Sequence, residues 1–214
     1  TVDYWKIELT DAIATVGAQD IIDGCVDSET GIDNQYCRLI TRDPTSHKMT
    51  LIQRSVLNLA GQDASGIDFE FGYDFDLAGG DLKTTLLGTY LKERKDYPFQ
   101  EDPTNFTENA GTTGEAVWQA NMKISYSKED WSMTLKTRYL EDVSIYTDQE
   151  LEDNPNPSSL MGYPSYVISD ITLGYNFDNG AMLILGVDNV FDKDLPLGTA
   201  GTGSGSAGYD NLGR

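Results

Sequence analysis

Residues 67–77 have the sequence Ile-Asp-Phe-Glu-Phe-Gly-Tyr-Asp-Phe-Asp-Leu. Every odd-numbered position is apolar or aromatic, and every even-numbered position is acidic or glycine. A period of two without an exception predicts an extended strand with one apolar and one polar face. Four of the six residues on the apolar face are aromatic, which is more than most edge strands of water-soluble sheets carry.

The same alternation recurs along the chain. It is clear at 120–127, 131–139, 170–177 and 181–191, and weaker at 2–9, 49–59 and 82–91. Together these segments predict an all-β fold of about seven antiparallel strands. A helix is predicted over 11–23 alone, with Asp11 as its N-terminal cap.

The connections between the predicted strands alternate in length. Short turns at 78–81, 128–130 and 178–180 are separated by long polar stretches at 94–116, 146–165 and 192–212. This alternation is typical of an outer-membrane barrel with periplasmic turns and external loops. It makes 10–47 a further external loop and 49–77 one strand interrupted near 61–65. The alternative makes 49–59 a separate strand and leaves 10–47 in the periplasm.

Composition excludes some function classes and leaves others open. The chain has 15 Lys and Arg against 35 Asp and Glu, and this net charge of −20 argues against a nucleic-acid partner. No apolar run approaches the roughly 20 residues of a membrane helix. Cys25 and Cys37 would form a loop-closing disulfide in an oxidising compartment and would more often be free thiols in the cytosol.

Several motifs resemble those of TonB-dependent outer-membrane receptors, and they occur in the family's order. The segment from Gly186 to Lys193, Gly-Val-Asp-Asn-Val-Phe-Asp-Lys, is similar to a motif near the family's C-terminus. The segments 2–7 and 58–70 resemble two earlier strands of the family's barrel, and Gly213-Arg214 resembles the pair that opens its last strand. The positions that carry the resemblance are Gly66, Asp68, Glu70, Gly186, Asn189, Phe191, Asp192, Gly213 and Arg214.

The resemblance implies a transmembrane β-barrel of about 22 strands that is filled by an N-terminal plug domain. It implies an outer-membrane receptor of a Gram-negative bacterium that takes up a large scarce solute, such as an iron chelate, a vitamin or an oligosaccharide. The family uses energy delivered by TonB, performs no covalent chemistry and needs no cofactor. Its partners are outer-membrane lipid, the plug, TonB through the plug, and the solute at the external loops.

We therefore expect residues 1–214 to form the C-terminal portion of such a barrel, without the plug domain and ending before the last strand. The external loops 10–47, 94–116, 146–165 and 192–212 are then expected to form the vestibule that binds the solute. Cys25 and Cys37 are expected to form a disulfide within the first of these loops.

Other polar and aromatic residues have candidate roles. The interior face of the barrel is predicted to carry Asp68, Glu70, Asp74, Asp76, Lys136 and Arg138. Trp131, Tyr175 and Phe177 lie beside short turns and are either an aromatic girdle or plain apolar strand ends. The acidic run 148–154 is a solvated loop or a cation site. Segment 27–34 lacks the spacing of a calcium loop, and His47 lacks the partners of a catalytic base.

Three other protein classes compete with the receptor. A small barrel or adhesin without TonB coupling needs an even strand count and a closing strand. An outer-membrane hydrolase needs a nucleophile paired with a histidine, and the chain has one His. A sugar-binding β-sandwich would have short hairpin loops at both ends.

Overall fold

The computed structural model describes residues 1–26, 31–54, 56–97, 104–155, 161–194 and 196. The long strands of this part are β1 (Val2–Thr15), β4 (Val56–Leu77), β5 (Gly80–Tyr97), β7 (Trp118–Lys128), β8 (Trp131–Leu140), β11 (Tyr166–Asn176) and β12 (Met182–Val187). The short strands are β2 (Ile40–Arg42), β3 (Met49–Ile52), β6 (Thr107–Glu108), β9 (Val143–Ser144) and β10 (Gly162–Tyr163). The helices are α1 (Ala18–Val26), α2 (Asp148–Asp153) and a 3₁₀ turn at Cys37–Leu39. None of the helices in the described ranges is long and apolar enough to cross a membrane.

The long strands form one sheet in the order β1-β4-β5-β7-β8-β11-β12, and β6 pairs with β5 outside this path. Strand β7 pairs antiparallel with β5 and β8, and β11 pairs antiparallel with β8 and β12. The order follows the chain, as in a meander of hairpins. The prediction of an all-β antiparallel barrel segment with about seven strands is therefore confirmed, although the sheet is not closed.

Tight turns set the register of the hairpins. Ala78 and Gly79 of the β4–β5 turn have φ angles of 51° and 78°, and Gly180 of the β11–β12 turn has 83°. Left-handed backbone of this kind lets a hairpin reverse without splaying its strands. Long connections lie between β1 and β4, β5 and β7, and β8 and β11, so the predicted alternation of short and long connections is confirmed for these strands. Most of the long loop predicted at 192–212 lies outside the described residues.

The described chain divides into two compact units. The first contains the described residues within 1–6, 64–94 and 108–214, and the second contains those within 7–63 and 95–107. The core of the first unit lies mainly in its long connections and is formed by Ala116, Val143, Tyr163, Tyr166 and Ile168. The core of the second unit surrounds α1 and is formed by Val16, Ile21, Cys25 and Tyr36.

The predicted helix over 11–23 is wrong in its first part. Residues 11–15 continue β1, and the helix runs from Ala18 to Val26. Ile13, within the part predicted to be helical, is 76 % exposed on the strand. The helix begins where Asp20 accepts a hydrogen bond from the Gly17 N–H at 3.1 Å, since a carboxylate in the first turn satisfies a free helical donor.

Neither prediction for 49–77 is correct. Strand β4 runs from Val56 to Leu77 without a break at 61–65, and Met49–Ile52 is a separate strand that pairs with β2 inside the long connection. The small residues do not interrupt the strand. A Cβ atom on Gly61 would contact the Tyr97 ring at 3.6 Å, and buried Ser65 donates its hydroxyl to Glu93 at 2.9 Å.

Candidate functional site

The two faces of β4 differ in chemistry, as the alternation predicts. On one face, Phe71 and Tyr73 are 58 % and 68 % exposed. A row of exposed aromatic side chains is typical of a surface that contacts lipid. The other face, called the polar face below, carries Asp68, and this carboxylate accepts a hydrogen bond from the Thr89 hydroxyl of β5 at 2.8 Å.

The polar face contains two open cavities, both lined by residues of the first unit. One has a volume of about 320 Å³, and its polar lining residues include Asp3, Asp68, Glu70, Thr89, Gln119 and Asn121. The other has a volume of about 340 Å³, and its polar lining residues include Thr85, Asn121, Lys123, Lys136, Arg138 and Asp170. Volumes of this size fall at the lower end of the range found for small-molecule sites.

The predicted interior-face residues separate into three groups. Asp68 and Glu70 line the first cavity, and Lys136 and Arg138 line the second. Asp74 and Asp76 are exposed near the end of β4 and line neither of these two cavities. The Arg138 guanidinium and the Asp170 carboxylate form an ion pair at 2.9 Å, with side chains only 26 % and 19 % exposed.

Gly66 leaves room for the side chain of Trp5. A Cβ atom at position 66 would lie 2.6 Å from Cζ2 of Trp5 and 2.6 Å from the carbonyl oxygen of Tyr90. The Trp5 indole nitrogen is buried and has no hydrogen-bond partner among the described residues. The glycine of the family-like motif is therefore explained by close approach of two neighbouring strands.

The motif at 186–193 begins with the last two residues of β12 and continues as a turn. Asn189 and Asp192 have φ angles of 51° and 49°, which Asn and Asp tolerate better than most residues. The Asn189 side chain accepts from the Lys193 N–H at 2.9 Å and donates to the Lys193 carbonyl at 3.1 Å. The Asn189 N–H donates to Asp170 at 2.9 Å, so this turn is attached to β11.

The remaining motif positions have less structural explanation. Gly186 has no heavy atom within 4 Å of a hypothetical Cβ, and the Phe191 side chain is 77 % exposed. Nothing in the structure explains why glycine stands at 186. Gly213 and Arg214 lie outside the described residues.

Cys25 and Cys37 form the expected disulfide. It connects the end of α1 to the 3₁₀ turn within the second unit. The adjacent side chain of Asn34 is buried, accepts from the N–H groups of Tyr36 and Cys37 at 2.9 Å each, and donates to the Cys25 carbonyl at 3.2 Å. The long connection after β1 is thus a small folded element with its own core.

The connections after β5 and β8 are joined to each other. The Ser144 N–H donates to the Gly111 carbonyl at 2.8 Å, and the Thr113 N–H donates to the Ser144 carbonyl at 2.9 Å. Glu108 accepts from the N–H of Arg94 at 2.7 Å, which attaches the first connection to β5. Together with the buried cluster around Tyr166, these contacts pack residues 108–116 against residues 143–145 and 163–168.

The acidic run 148–154 is mostly the short helix α2 rather than an irregular loop. Thr147 and Glu150 form a reciprocal capping box, in which the Glu150 carboxylate accepts from the Thr147 N–H at 2.8 Å. In the part of the chain that the structure describes, no three His, Cys, Asp or Glu residues are grouped to hold a metal. The segment 27–34 lies partly outside the described residues.

His47 lies in the turn between β2 and β3, and its backbone N–H donates to the backbone carbonyl of Asp43 at 2.9 Å. The Asp43 carboxylate accepts from the N–H groups of Ser46 at 2.6 Å and Thr45 at 3.0 Å. These hydrogen bonds hold the backbone of the β2–β3 turn, so His47 and Asp43 stabilise the turn.

Aromatic rings cluster beside the short turns at one end of the sheet. The rings of Trp131 and Tyr175 have centroids 4.6 Å apart, and those of Tyr175 and Phe177 are 4.8 Å apart and edge to face. Grouping of Trp, Tyr and Phe at strand ends is typical of an aromatic girdle.

Sequence reasoning missed Lys123, Trp5 and Asp170 as residues of the polar face. The signal for Lys123 was present, because the short β7–β8 turn pairs Lys128 with Trp131 and so places Lys123 opposite Lys136. The alternation at 170–177 already placed Asp170 on the polar side of its strand, but no local signal indicated its partner Arg138 or the position of Trp5, since these contacts are made across long connections.

Comparison with known proteins bears on this arrangement. No curated protein matches the chain, and no solved structure matches it. A family model described as "TonB dependent receptor-like, beta-barrel" matches residues 1–190. That family consists of outer-membrane receptors and transporters rather than enzymes. With the antiparallel sheet, its apolar and polar faces and its folded long connections, the match shows that the chain belongs to the TonB-dependent receptor β-barrel family.

Proposed function

We propose that the chain forms the C-terminal portion of the barrel of an energy-coupled uptake receptor for a large scarce solute. The solute classes that fit are iron chelates, vitamins and oligosaccharides. The observation that carries the proposal is the division of one continuous sheet into an exposed aromatic face and a polar face with cavities of about 320 and 340 Å³. Such a sheet separates lipid from a wet passage.

The long connections are proposed to bind the solute first. They are folded elements, since the disulfide supports one and the Tyr166 cluster supports two others. A pre-ordered binding surface loses less conformational entropy when it captures a ligand than an unordered one. Release into the periplasm is proposed to follow movement of a plug domain that TonB pulls.

The experiment is uptake by cells that express the full-length receptor, compared with cells lacking its gene. Labelled ferric chelates, cobalamin and oligosaccharides are the panel, each measured with and without a protonophore. We expect one class to accumulate in a receptor-dependent way and to stop accumulating when the proton gradient is dissipated. Receptor-dependent binding that no protonophore affects would instead indicate a barrel or adhesin without TonB coupling.

A loop replacement tests where the solute binds. Asp148–Asp153 has no buried residue, so a Gly-Ser segment of equal length can replace it without opening a core. We expect solute binding to fall while receptor abundance in the outer membrane stays constant. Asp178→Ser in the short β11–β12 turn is the control and should leave binding unchanged. If the loop variant binds the solute as well as this control does, the loop is not part of the binding site.

A further inference from the structure

Two lysines face each other on the polar face. Lys123 of β7 and Lys136 of β8 are directly opposed in the register, in the same row as Thr85 of β5. Directly opposed side chains on neighbouring strands have Cβ atoms about 5 Å apart, and like charges at such positions destabilise a sheet. A negatively charged group close to both ammonium groups would offset this repulsion.

The neighbouring carboxylate is already engaged. Asp170 is opposite Lys136 in the β8–β11 register, where it would be the natural partner. Its Oδ2 instead accepts from the Arg138 guanidinium at 2.9 Å, and its Oδ1 accepts from the Asn189 N–H at 2.9 Å. Within the described residues, neither Lys123 nor Lys136 has an ion pair or a hydrogen bond from its ammonium group.

The surroundings of the two lysines are suited to a ligand. They line the open cavity of about 340 Å³ together with Asn121, Thr85 and Arg138. Both lysines are exposed residues of this cavity's lining. The cavity is lined by three cationic side chains and one carboxylate, whereas the whole chain has 15 basic and 35 acidic residues.

We propose that Lys123 and Lys136, with Arg138 beside them, bind an anionic oxygen group, carboxylate or phosphate, on the polar face. This rests on the proposed function in that the polar face is taken to line the passage. The group has two possible sources, a solute in transit or an acidic side chain of another segment of the receptor. Lysine ammonium groups recognise such oxygens as point charges, through charge-assisted hydrogen bonds.

The test is lysine acylation of the full-length receptor in outer-membrane vesicles, followed residue by residue by mass spectrometry. A bound anion shields an ammonium group and slows its acylation. The probes are citrate and inorganic phosphate, and exposed Lys48 in the β2–β3 turn is the internal reference. A solute anion is indicated by two results together. Without a probe, Lys123 and Lys136 are acylated as fast as Lys48, and with citrate or phosphate they are acylated severalfold more slowly.

An acidic segment of the receptor is indicated if both lysines react slowly without a probe and high salt restores their rate, since salt screens accessible ion pairs. The proposal is overturned if both react like Lys48 under all conditions. It is also overturned if they react slowly and salt has no effect, because burial alone then explains the protection.

Charge-neutral variants give a second readout. If citrate or phosphate slows the labelling, Lys123→Gln with Lys136→Gln should lower affinity for that probe by about tenfold or more, the loss expected for charge-assisted hydrogen bonds. Lys83→Gln is the matched control, because Lys83 lies on the same face opposite the neutral Ser125. Equal affinity in all variants would overturn the proposal, while uptake that depends on the proton gradient would leave the proposed function intact.

Discussion

The indole ring of Trp5 lies against the backbone of Gly66, 61 residues later in the chain, and closely enough that a Cβ atom there would be 2.6 Å from Cζ2. The contact joins β1 to β4 on the polar face. It requires glycine because the carbonyl oxygen of Tyr90, a backbone atom, would lie at the same distance from this Cβ.

Gly66→Ala should destabilise the sheet by about 1–3 kcal/mol, because neither the indole nor the backbone can withdraw without local repacking. The measurement is the unfolding temperature of the full-length receptor in detergent. Gly72→Ala is the matched control, since it lies on the same strand and no heavy atom lies within 4 Å of its hypothetical Cβ. An equal effect of the two substitutions would show that strand propensity, not the Trp5 contact, sets the cost.

Cys25→Ser with Cys37→Ser should loosen the second unit and leave the sheet paired. The disulfide closes a short loop, and the chain-entropy model assigns it about 3 kcal/mol. We expect hydrogen exchange of the α1 amides to accelerate, because α1 contributes Ile21 to a core that the bond supports. Ile32→Ser, at a side chain that is 84 % exposed, should leave exchange unchanged. Unchanged α1 protection in the serine variant would show that packing alone holds the element.

Asp170→Ala should cost about 1–3 kcal/mol, because it removes one partner of a half-buried ion pair and the acceptor of the Asn189 N–H. Asp170→Asn should cost less, since an amide oxygen can still accept the backbone hydrogen bond. Urea unfolding of the receptor measures both. Asp76→Asn, at an exposed position of β4, is the control and should be neutral. Equal costs for the alanine and asparagine variants would show that the hydrogen bond from the Asn189 N–H contributes little.

Acid should weaken the turn between β2 and β3. The pKa of Asp43 lies below its usual value, mainly because the Ser46 N–H donates to the carboxylate, with further contributions from the Ser46 side chain and the Thr45 N–H. A carboxyl with a lowered folded pKa stabilises the turn above its unfolded pKa and loses this effect as the pH falls through the folded value. NMR titration of the amides at 45–46 should follow the Asp43 pKa, and Asp43→Asn should abolish this titration. A titration at the ordinary aspartate pKa would contradict the structure.

Much of the strand arrangement was predictable, and the exceptions have physical causes. Alternation located the second half of β4, most of β7, β8 and β11, and all of β12, because side chains of extended backbone point to opposite faces whatever their partners are. It failed at 11–15, where the apolar spacing fits a helix but pairing with β4 continues the strand. It failed again at 49–59, because the short β2–β3 hairpin forms within a long connection.

The polar face was predicted in part. Turn length sets the register within a hairpin, so the opposition of Lys123 and Lys136 was available from the sequence. The Arg138–Asp170 pair was not, because the strands that carry it are joined by the long connection after β8. Membership of the receptor family followed from ordered motifs, yet the structural role of Gly66 became evident only from its contact with Trp5.

The sequence by itself determined the strand type, the two faces and the positions of the short turns, since all three depend on residues close together in the chain. The tertiary structure alone decided which distant residues meet on the polar face. It also decided that the Asp170 carboxylate accepts hydrogen bonds from Arg138 and Asn189 and not from Lys136. The reason is that contacts across long connections depend on competition among many hydrogen-bonding partners. No local pattern of residues records the outcome of that competition.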